Sequence, residues 1–315
     1  MGSRKKILVT GGAGFIGSNF VNKYSNKYDI YVVDSLTYAS NVFNITDAIP
    51  EINFRKVDIT DPFLAEVFDD ISPDIVVNFA AETHVDTSIH LPKLFTSTNI
   101  IGTQNLLGLS LIHNVEKYIQ ISTDEVYGHL GKNDPSFTEL TPLSPRSPYS
   151  ATKASADLIV QAYNQTYGLN TCITRCSNNF GPYQHHEKLI PKIILKALNN
   201  KQIPIYGNGE NIRDWIYVED HIDGIDAVIE NGVTNNVYNF GGNNSEMSNI
   251  DICKKILDHL DKPHSLIEFV EDRPGHDFRY SIDYTKANND LGWEPKFNFD
   301  DAITKTIEFY KKRTL

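Results

Sequence analysis

The sequence predicts a doubly wound α/β fold, a parallel sheet covered by helices on both faces, with a smaller, discontinuous C-terminal lobe. Three observations carry that expectation. Short β-branched runs alternate with longer amphipathic segments. The runs Ile7-Leu8-Val9 and Ile75-Val76-Val77 are continuously apolar, as strands buried on both faces must be. A glycine-rich turn joins the first strand to the first helix. The chain can also fill such a core: of 315 residues 40% are hydrophobic, with 16 Tyr and 16 Phe, which excludes a disordered, collagen-like or low-complexity protein. A net charge of −11 argues against a general nucleic-acid or anionic-membrane binder, so an anionic ligand must be met by a few placed cations.

Taken in order, the strands fall at 6–10, 30–34, 53–58, 74–80, 117–122, 170–177 and 237–240, and the helices between them at 15–28, 92–113, 149–167 and 218–230. After residue 178 the pattern loosens into Pro-, Gly- and Asn-rich loops, with helices at 188–199, 250–260 and 300–312. Residues 218–242 read as a return to the first sheet. The expected division is therefore a cofactor domain of residues 1–178 rejoined by 218–242, and a substrate lobe of 179–217 and 243–315. Cys172, Cys176 and Cys253 are too few for a disulfide scaffold and read as small buried hydrophobes. No apolar run reaches transmembrane length, residues 1–6 hold no hydrophobic signal core, and Gly2 lacks the Ser or Thr at position 6 that myristoylation wants. The expectation is a soluble cytoplasmic enzyme.

In the first turn, glycines recur every third residue. Gly11 permits the tight turn, Gly14 lets backbone approach a pyrophosphate, and Gly17 lets the helix pack against the sheet, while the helix N-terminus offers N–H groups to the anion. Asp34 closes the second strand, 17 residues after Gly17. A carboxylate there can accept both adenosine ribose hydroxyls and repels a 2′-phosphate, so the expected cofactor is NAD and not NADP.

Tyr149 and Lys153 stand four apart at the start of a helix, hence on one face. A lysine ammonium favours phenolate, which would let Tyr149 act as a base near neutral pH. Thr123 ends the fifth strand nearby. Asp124 and Glu125 follow it directly, and an adjacent carboxylate pair suits elimination, in which one group protonates a leaving hydroxyl and the other takes a carbon-bound proton. Lys188, Arg213 and Arg273 are candidate diphosphate cations in the second lobe. The adjacent His185 and His186 cannot easily face one ion, and no metal is assigned.

Gly-x-x-Gly-x-x-Gly, Asp34, Asn78-Phe79-Ala80-Ala81 and Tyr-x-x-x-Lys together resemble the extended short-chain dehydrogenase/reductase superfamily. Ser122-Thr123-Asp124-Glu125-Val126-Tyr127-Gly128, Ala80-Ala81-Glu82-Thr83-His84-Val85-Asp86, Asn178-Asn179-Phe180-Gly181-Pro182-Tyr183, Glu187-Lys188-Leu189-Ile190-Pro191, Arg213-Asp214-Trp215 and Asp272-Arg273-Pro274-Gly275-His276-Asp277 narrow this to a resemblance to the dTDP-glucose 4,6-dehydratase family. That resemblance implies a Rossmann-type sheet and a reactive set of Thr123, Asp124, Glu125, Tyr149 and Lys153. It implies that Gly11, Gly14, Phe15, Ile16, Gly17, Asp34, Ser35, Leu36, Thr37, Asp58, Ile59, Phe79, Ala80, Ala81, Thr98, Tyr149, Lys153 and Asn179 hold NAD. Thr83, Thr123, Asn178, Lys188, Leu189, Pro204, Tyr206, Arg213, Asn244, Asp272, Arg273 and His276 would hold the nucleotide sugar.

The implied hydro-lyase reaction converts dTDP-glucose to dTDP-4-dehydro-6-deoxyglucose, a step towards rhamnose-type sugars. C4 is oxidised, water leaves across C5 and C6, and hydride returns to C6. The sequence departs from the family at Thr87 and Phe278, where relatives commonly carry Arg, and at His185-His186. Alternatives on the same scaffold are another nucleotide-sugar dehydratase, a UDP-sugar 4-epimerase, or a non-catalytic NAD-binding protein. Helices 92–113 and 149–167, with Leu106, Leu107, Leu109, Leu111, Leu158 and Val160, carry more apolar positions than one sheet face needs, and with the superfamily resemblance they suggest a homodimer.

Overall fold

The computed structural model describes residues 4–46, 52–242, 246–272 and 276–314. The expected substrate residues Asn244 and Arg273 lie outside them. Six strands open the chain: β1 (Lys6–Thr10), β2 (Asp29–Asp34), β3 (Asn53–Lys56), β4 (Ile75–Asn78), β5 (Lys117–Thr123) and β6 (Thr171–Cys176). Short strands follow: β7 (Asn178–Phe180), β8 (Ile203–Tyr206), β9 (Ile212–Arg213) and β10 (Trp215–Tyr217). Then come β11 (Asn236–Phe240), β12 (Met247–Ser248) and β13 (Ile267–Val270).

Seven of these form one sheet in the order β11-β6-β5-β4-β1-β2-β3, parallel throughout. The apolar runs explain why both faces are covered. On β1, Ile7 and Val9 join one core cluster while Leu8 joins the other, because successive strand side chains point to opposite faces. Strand order reverses between β1 and β4, and at such a switch point a crevice opens beyond the carboxyl ends of the strands.

Most expected elements are present with ends moved by a few residues. The first helix is Phe15–Tyr24 and so ends before residue 28, and the third strand stops at Lys56. The segment read as one helix over 92–113 is three pieces: Pro92–Phe95, a π-helical stretch Thr96–Gly102, and Thr103–Ile112. Within the wide turns Asn99 is buried and donates to the Glu82 carbonyl (3.1 Å) and Thr152 Oγ1 (3.0 Å), while its own Oδ1 accepts from Glu82 N (2.8 Å). Gly102 lies where a Cβ would run into Ile59. Helices not foreseen are Phe43–Thr46, Leu64–Ile71, Val85–His90 and Thr285–Leu291. Val85–His90 starts under a His84 cap, whose Nδ1 accepts from Thr87 N at 3.2 Å.

The leucine-rich face needs a correction. Leu106, Leu107 and Val160 are fully buried in the chain's own core, with Leu109 packed against it, and of the six positions singled out only Leu158 is exposed.

Candidate active site

A cleft of about 340 Å³ occupies the switch-point crevice, running from Gly11, Gly14 and Gly17 past Asp34 and Asp58 to Thr123, Tyr149 and Lys188. At its cofactor end the backbone itself makes the shape. Gly11 has φ +69°, and a Cβ there would sit 2.6 Å from Ala80 N, so only glycine fits between β1 and the turn after β4. A Cβ on Gly17 would collide with the Gly11 carbonyl. Asp34 is buried. Its Oδ2 accepts from Ala13 N (3.0 Å), and its Oδ1 accepts from Leu36 N (2.8 Å) and Ser40 Oγ (2.9 Å). Of roughly four acceptor sites on a carboxylate, three are used by the protein. These donors fix the orientation of the Asp34 carboxylate in the cleft. These residues fit a dinucleotide: a cradle closed to any Cβ, and an anchored carboxylate at the ribose position.

Among the expected cofactor residues, Phe15, Ile16, Ser35, Thr37, Ile59, Phe79, Ala80, Ala81, Thr98 and Asn179 also line the cleft; Leu36 does not, and contributes its N–H to Asp34. Asp58 accepts from Thr60 N at 2.8 Å, and Asn179 Oδ1 faces His221 Nδ1 at 2.9 Å.

The reactive end is built at the close of β5. Thr123 caps the short turn Asp124–Tyr127: its Oγ1 accepts from Glu125 N and donates to Asp124 Oδ1, each at 3.3 Å. The helix Pro148–Tyr167 begins on a reciprocal Ser147–Ser150 capping box with Pro148 in its first turn, which fixes Tyr149 at the cleft. Lys153, one turn on, is buried and donates from Nζ to the Ile121 carbonyl at 2.6 Å.

Burial dominates the electrostatics. It pushes the Asp124 carboxyl well above the usual range, with Glu125 and Asp214 adding to the shift and Arg213 opposing it, which favours the protonated form. Burial likewise pushes the Tyr149 phenol well up, with Glu125 adding, while Thr123 pulls it down. Lys153 is itself lowered by burial, against Asp157. The phenol is thus desolvated beside a carboxylate, and the lysine's charge is disfavoured by the same burial.

Of the expected substrate residues, Thr83, Thr123, Asn178 and Lys188 line the cleft, and Lys188 Nζ donates to the Thr83 carbonyl at 3.1 Å. Leu189 begins the next helix, Leu189–Leu198. Pro204 and Tyr206 lie on β8, which pairs with β13. Tyr206 meets His276 edge-on at 6.3 Å between ring centres, and His276 Nδ1 is 2.7 Å from Asp272 Oδ1, so these three form a cluster that does not line the cleft. Arg213 is also outside the lining. Its guanidinium packs over the Tyr280 ring at 4.3 Å and donates to the carbonyls of Ile212, Asp277 and Phe278. The phosphate fork expected of it would have to compete with those carbonyls.

Cleft side chains given no role from the sequence include Ser40, Glu82, Cys176, Gln184 and His185. Burial, with Asp58 and Glu187 adding, raises Glu82 above the ordinary carboxyl range. The available signal was Asn99, a polar residue on the buried side of a helical pattern, which holds the Glu82 backbone. Among the described residues no group of three or more His, Cys, Asp or Glu could hold a metal ion. Cys172, Cys176 and Cys253 are free and buried.

A dinucleotide cradle at the switch point, feeding a buried Tyr–Lys–Thr group, defines an NAD-dependent short-chain dehydrogenase/reductase of the extended class. Within that class, the family model of GDP-mannose 4,6 dehydratase matches residues 8–306, and the chain belongs to this family. It is 50% identical over 310 residues to the low-salt glycan biosynthesis protein Agl12 of Haloferax volcanii, covering 96% of this chain and 98% of that one. It is 48% identical to a dTDP-glucose 4,6-dehydratase of Escherichia coli, covering 97% and 93%. The crystal structure of DesIV, a dTDP-glucose 4,6-dehydratase from Streptomyces venezuelae with NAD and TYD bound, superposes with a TM-score of 0.92 at 43% identity, covering 98% of this chain and 97% of that one.

Proposed function

We propose that this protein is a hydro-lyase that dehydrates dTDP-glucose to dTDP-4-dehydro-6-deoxyglucose with NAD as a recycled cofactor. The observation that carries the reading is the buried Asp124 carboxyl beside Glu125 at the end of β5, both lining the cleft with Tyr149. An epimerase that only oxidises and re-reduces C4 needs no such acid. NAD⁺, when bound, supplies the acceptor for hydride from C4 and its return to C6. Tyr149 takes the C4 hydroxyl proton, assisted by Thr123 and by Lys153. The C4 ketone acidifies C5–H, Glu125 removes that proton, and Asp124 protonates the departing C6 hydroxyl. Glu125 then returns its proton to C5. The nicotinamide cation would add a positive field beside the buried Tyr149 phenol, favouring its ionised form.

On this reading, Thr83, Asn178 and Lys188 meet the sugar nucleotide from inside the cleft. Leu189, Pro204, Tyr206, Arg213, Asn244, Asp272, Arg273 and His276 meet it from the lobe of residues 179–217 and 243–315. Residues 1–178 with 218–242 form the NAD domain, consistent with β11 lying beside β6. No helix among the described residues is long and apolar enough to cross a membrane. With three free cysteines, a cytoplasmic enzyme is the reading we adopt. It is a homodimer through the helical face exposing Ile101 and Leu158, which are 46% and 57% exposed. The deciding experiment incubates the purified protein with dTDP-, UDP-, CDP- and GDP-sugars and weighs the products. Loss of one water from dTDP-glucose alone is expected; an isomer of unchanged mass would replace dehydration with epimerisation.

A further inference from the structure

Asp214 stands in the wall between two cavities. It is buried, its Oδ2 accepts from Gly242 N at 3.0 Å, and its carbonyl accepts from Asn178 N at 3.1 Å. On one side Ser177 lines the reactive cleft. On the other, Asp214 lines a second cavity of about 260 Å³ with Ser136, Glu246, Ser281, Asp283 and Thr285, the last of these exposed. Along this boundary Asp124 Oδ2, Ser177 Oγ and Asp214 Oδ1 are buried yet make no well-formed hydrogen bond among the described residues. Thr123 lies opposite Cys176 across the parallel strands β5 and β6, so Asp124 and Ser177 follow at neighbouring strand ends, and Ser177 in turn acts on Asp214. Buried polar oxygens are nearly always satisfied, so this row marks a place for water or a moving proton.

The reaction needs such a path. Resting on the assignment of Asp124 as the acid, each turnover leaves Asp124 without its proton and Tyr149 with one too many. We propose that Asp214, through Ser177, reloads Asp124 with a proton between turnovers. The Ser177 hydroxyl gives its proton to the Asp124 carboxylate as it takes one from Asp214, and Asp214 is reprotonated from water in the second cavity. The proton gained by Tyr149 leaves through the cleft, so the cycle takes one proton from solvent and returns one.

The electrostatics run in the required direction. Burial lifts Asp214 to about 7; Glu246 adds to the rise, while the Gly242 and Trp215 backbone and Ser177 draw it down. Burial also raises Asp124, with Glu125 and Asp214 adding, which favours its keeping the proton it receives. The charged and titratable groups around Asp214 are Asp124, Arg213, Glu246, Asp283 and Tyr284, and Glu246 is itself bonded by Arg279 and Ser281. As pH rises through about 7 the protonated fraction of Asp214 falls, and reloading slows with it.

The test is rapid-quench mass analysis of NAD-loaded enzyme mixed with excess dTDP-glucose. Asp214→Asn keeps the shape but carries no acidic proton. Its first turnover should run at the wild-type rate, because Asp124 starts protonated, and later turnovers should slow by roughly tenfold or more. The record would show a burst of one product per site, and the wild-type fall above about pH 7 should disappear. Ser177→Ala, which leaves Asp214 in place, should give the same burst and carries the test if Asp214→Asn does not fold. Equal slowing of first and later turnovers, or no slowing of either, would overturn the relay. Asp124→Asn read in the first turnover separates the two ideas. Elimination there at the wild-type rate defeats the acid assignment, whereas slow elimination there, with no burst in the other two variants, defeats the relay alone.

Discussion

The two ends of the cleft are made differently. At the cofactor end, shape is fixed by backbone: Gly11 lies against the Ala80 peptide, and Asp34 is held by three donors of its own chain. At the reactive end, function rests on buried titratable side chains, Asp124, Tyr149 and Lys153, each displaced from its ordinary pKa by burial before any neighbour acts. Binding here is a matter of steric room and closed hydrogen bonds, while chemistry is a matter of desolvated charge. Substitutions at the two ends should therefore fail by different signatures.

The largest effects are expected at the reactive end. Tyr149→Phe should cost on the order of 10²–10⁴ in the first hydride transfer and leave the cofactor oxidised. Glu125→Gln should cut dehydration by a comparable factor of roughly 10²–10⁴, yet permit oxidation. Absorbance at the NADH band should then rise alongside a 4-keto sugar that retains its C6 hydroxyl. Asp124→Asn should sit at the lower end of that range, because enolate formation survives while hydroxide leaves unassisted. Single-turnover absorbance with mass analysis of the quenched sugar reads all three, and one shared defect would mean that the reactive end fails as a unit.

Next comes Gly11→Ala, which forces a Cβ into the Ala80 backbone at a left-handed φ. A loss of about 1–3 kcal/mol is expected, seen as a lower melting temperature and weaker NAD binding by calorimetry. Of the same order is Asp34→Ala. Losing a charge-assisted bond to one ribose hydroxyl should weaken NAD by about 1.5–3 kcal/mol at most and relax discrimination against NADP, with the reactive-end rates at saturating cofactor unchanged. Unaltered preference in a competition titration would remove Asp34 from the ribose site. The smallest catalytic effect belongs to Leu158→Asp, outside both ends. It should shift the mass measured by light scattering from dimer to monomer at micromolar concentration while leaving the first turnover intact.

The same contrast explains what could be read in advance. Strands such as β1 and β4 announce themselves because burial on both faces demands unbroken apolar runs, and the glycine spacing is a steric requirement written directly in residue identity. The π-helical break at Thr96–Gly102 is not visible in the local pattern, and the contact it holds, between Asn99 and Glu82, spans 17 residues. β9 and β12 are two residues each, too short to show any period. The residues of the reactive end are named by spacing, but the burial of Tyr149 and the pull of Glu125 on it are tertiary effects, which spacing does not report.

The position of β11 has a consequence for the protein's manufacture. Strand β6 is wholly buried in the finished sheet, flanked by β5 and β11, yet about 60 residues separate its end from the start of β11. A ribosome adding roughly 5–20 residues per second needs about 3–12 s to supply the missing neighbour. During that interval the nascent sheet presents Thr171-Cys172-Ile173-Thr174-Arg175-Cys176 as an unpaired edge, the kind of template on which chains join to one another. Slow synthesis or crowded expression should therefore harm yield through this strand first, and a chain truncated before residue 236 should be prone to aggregate even though every residue of the cofactor cradle has already been made.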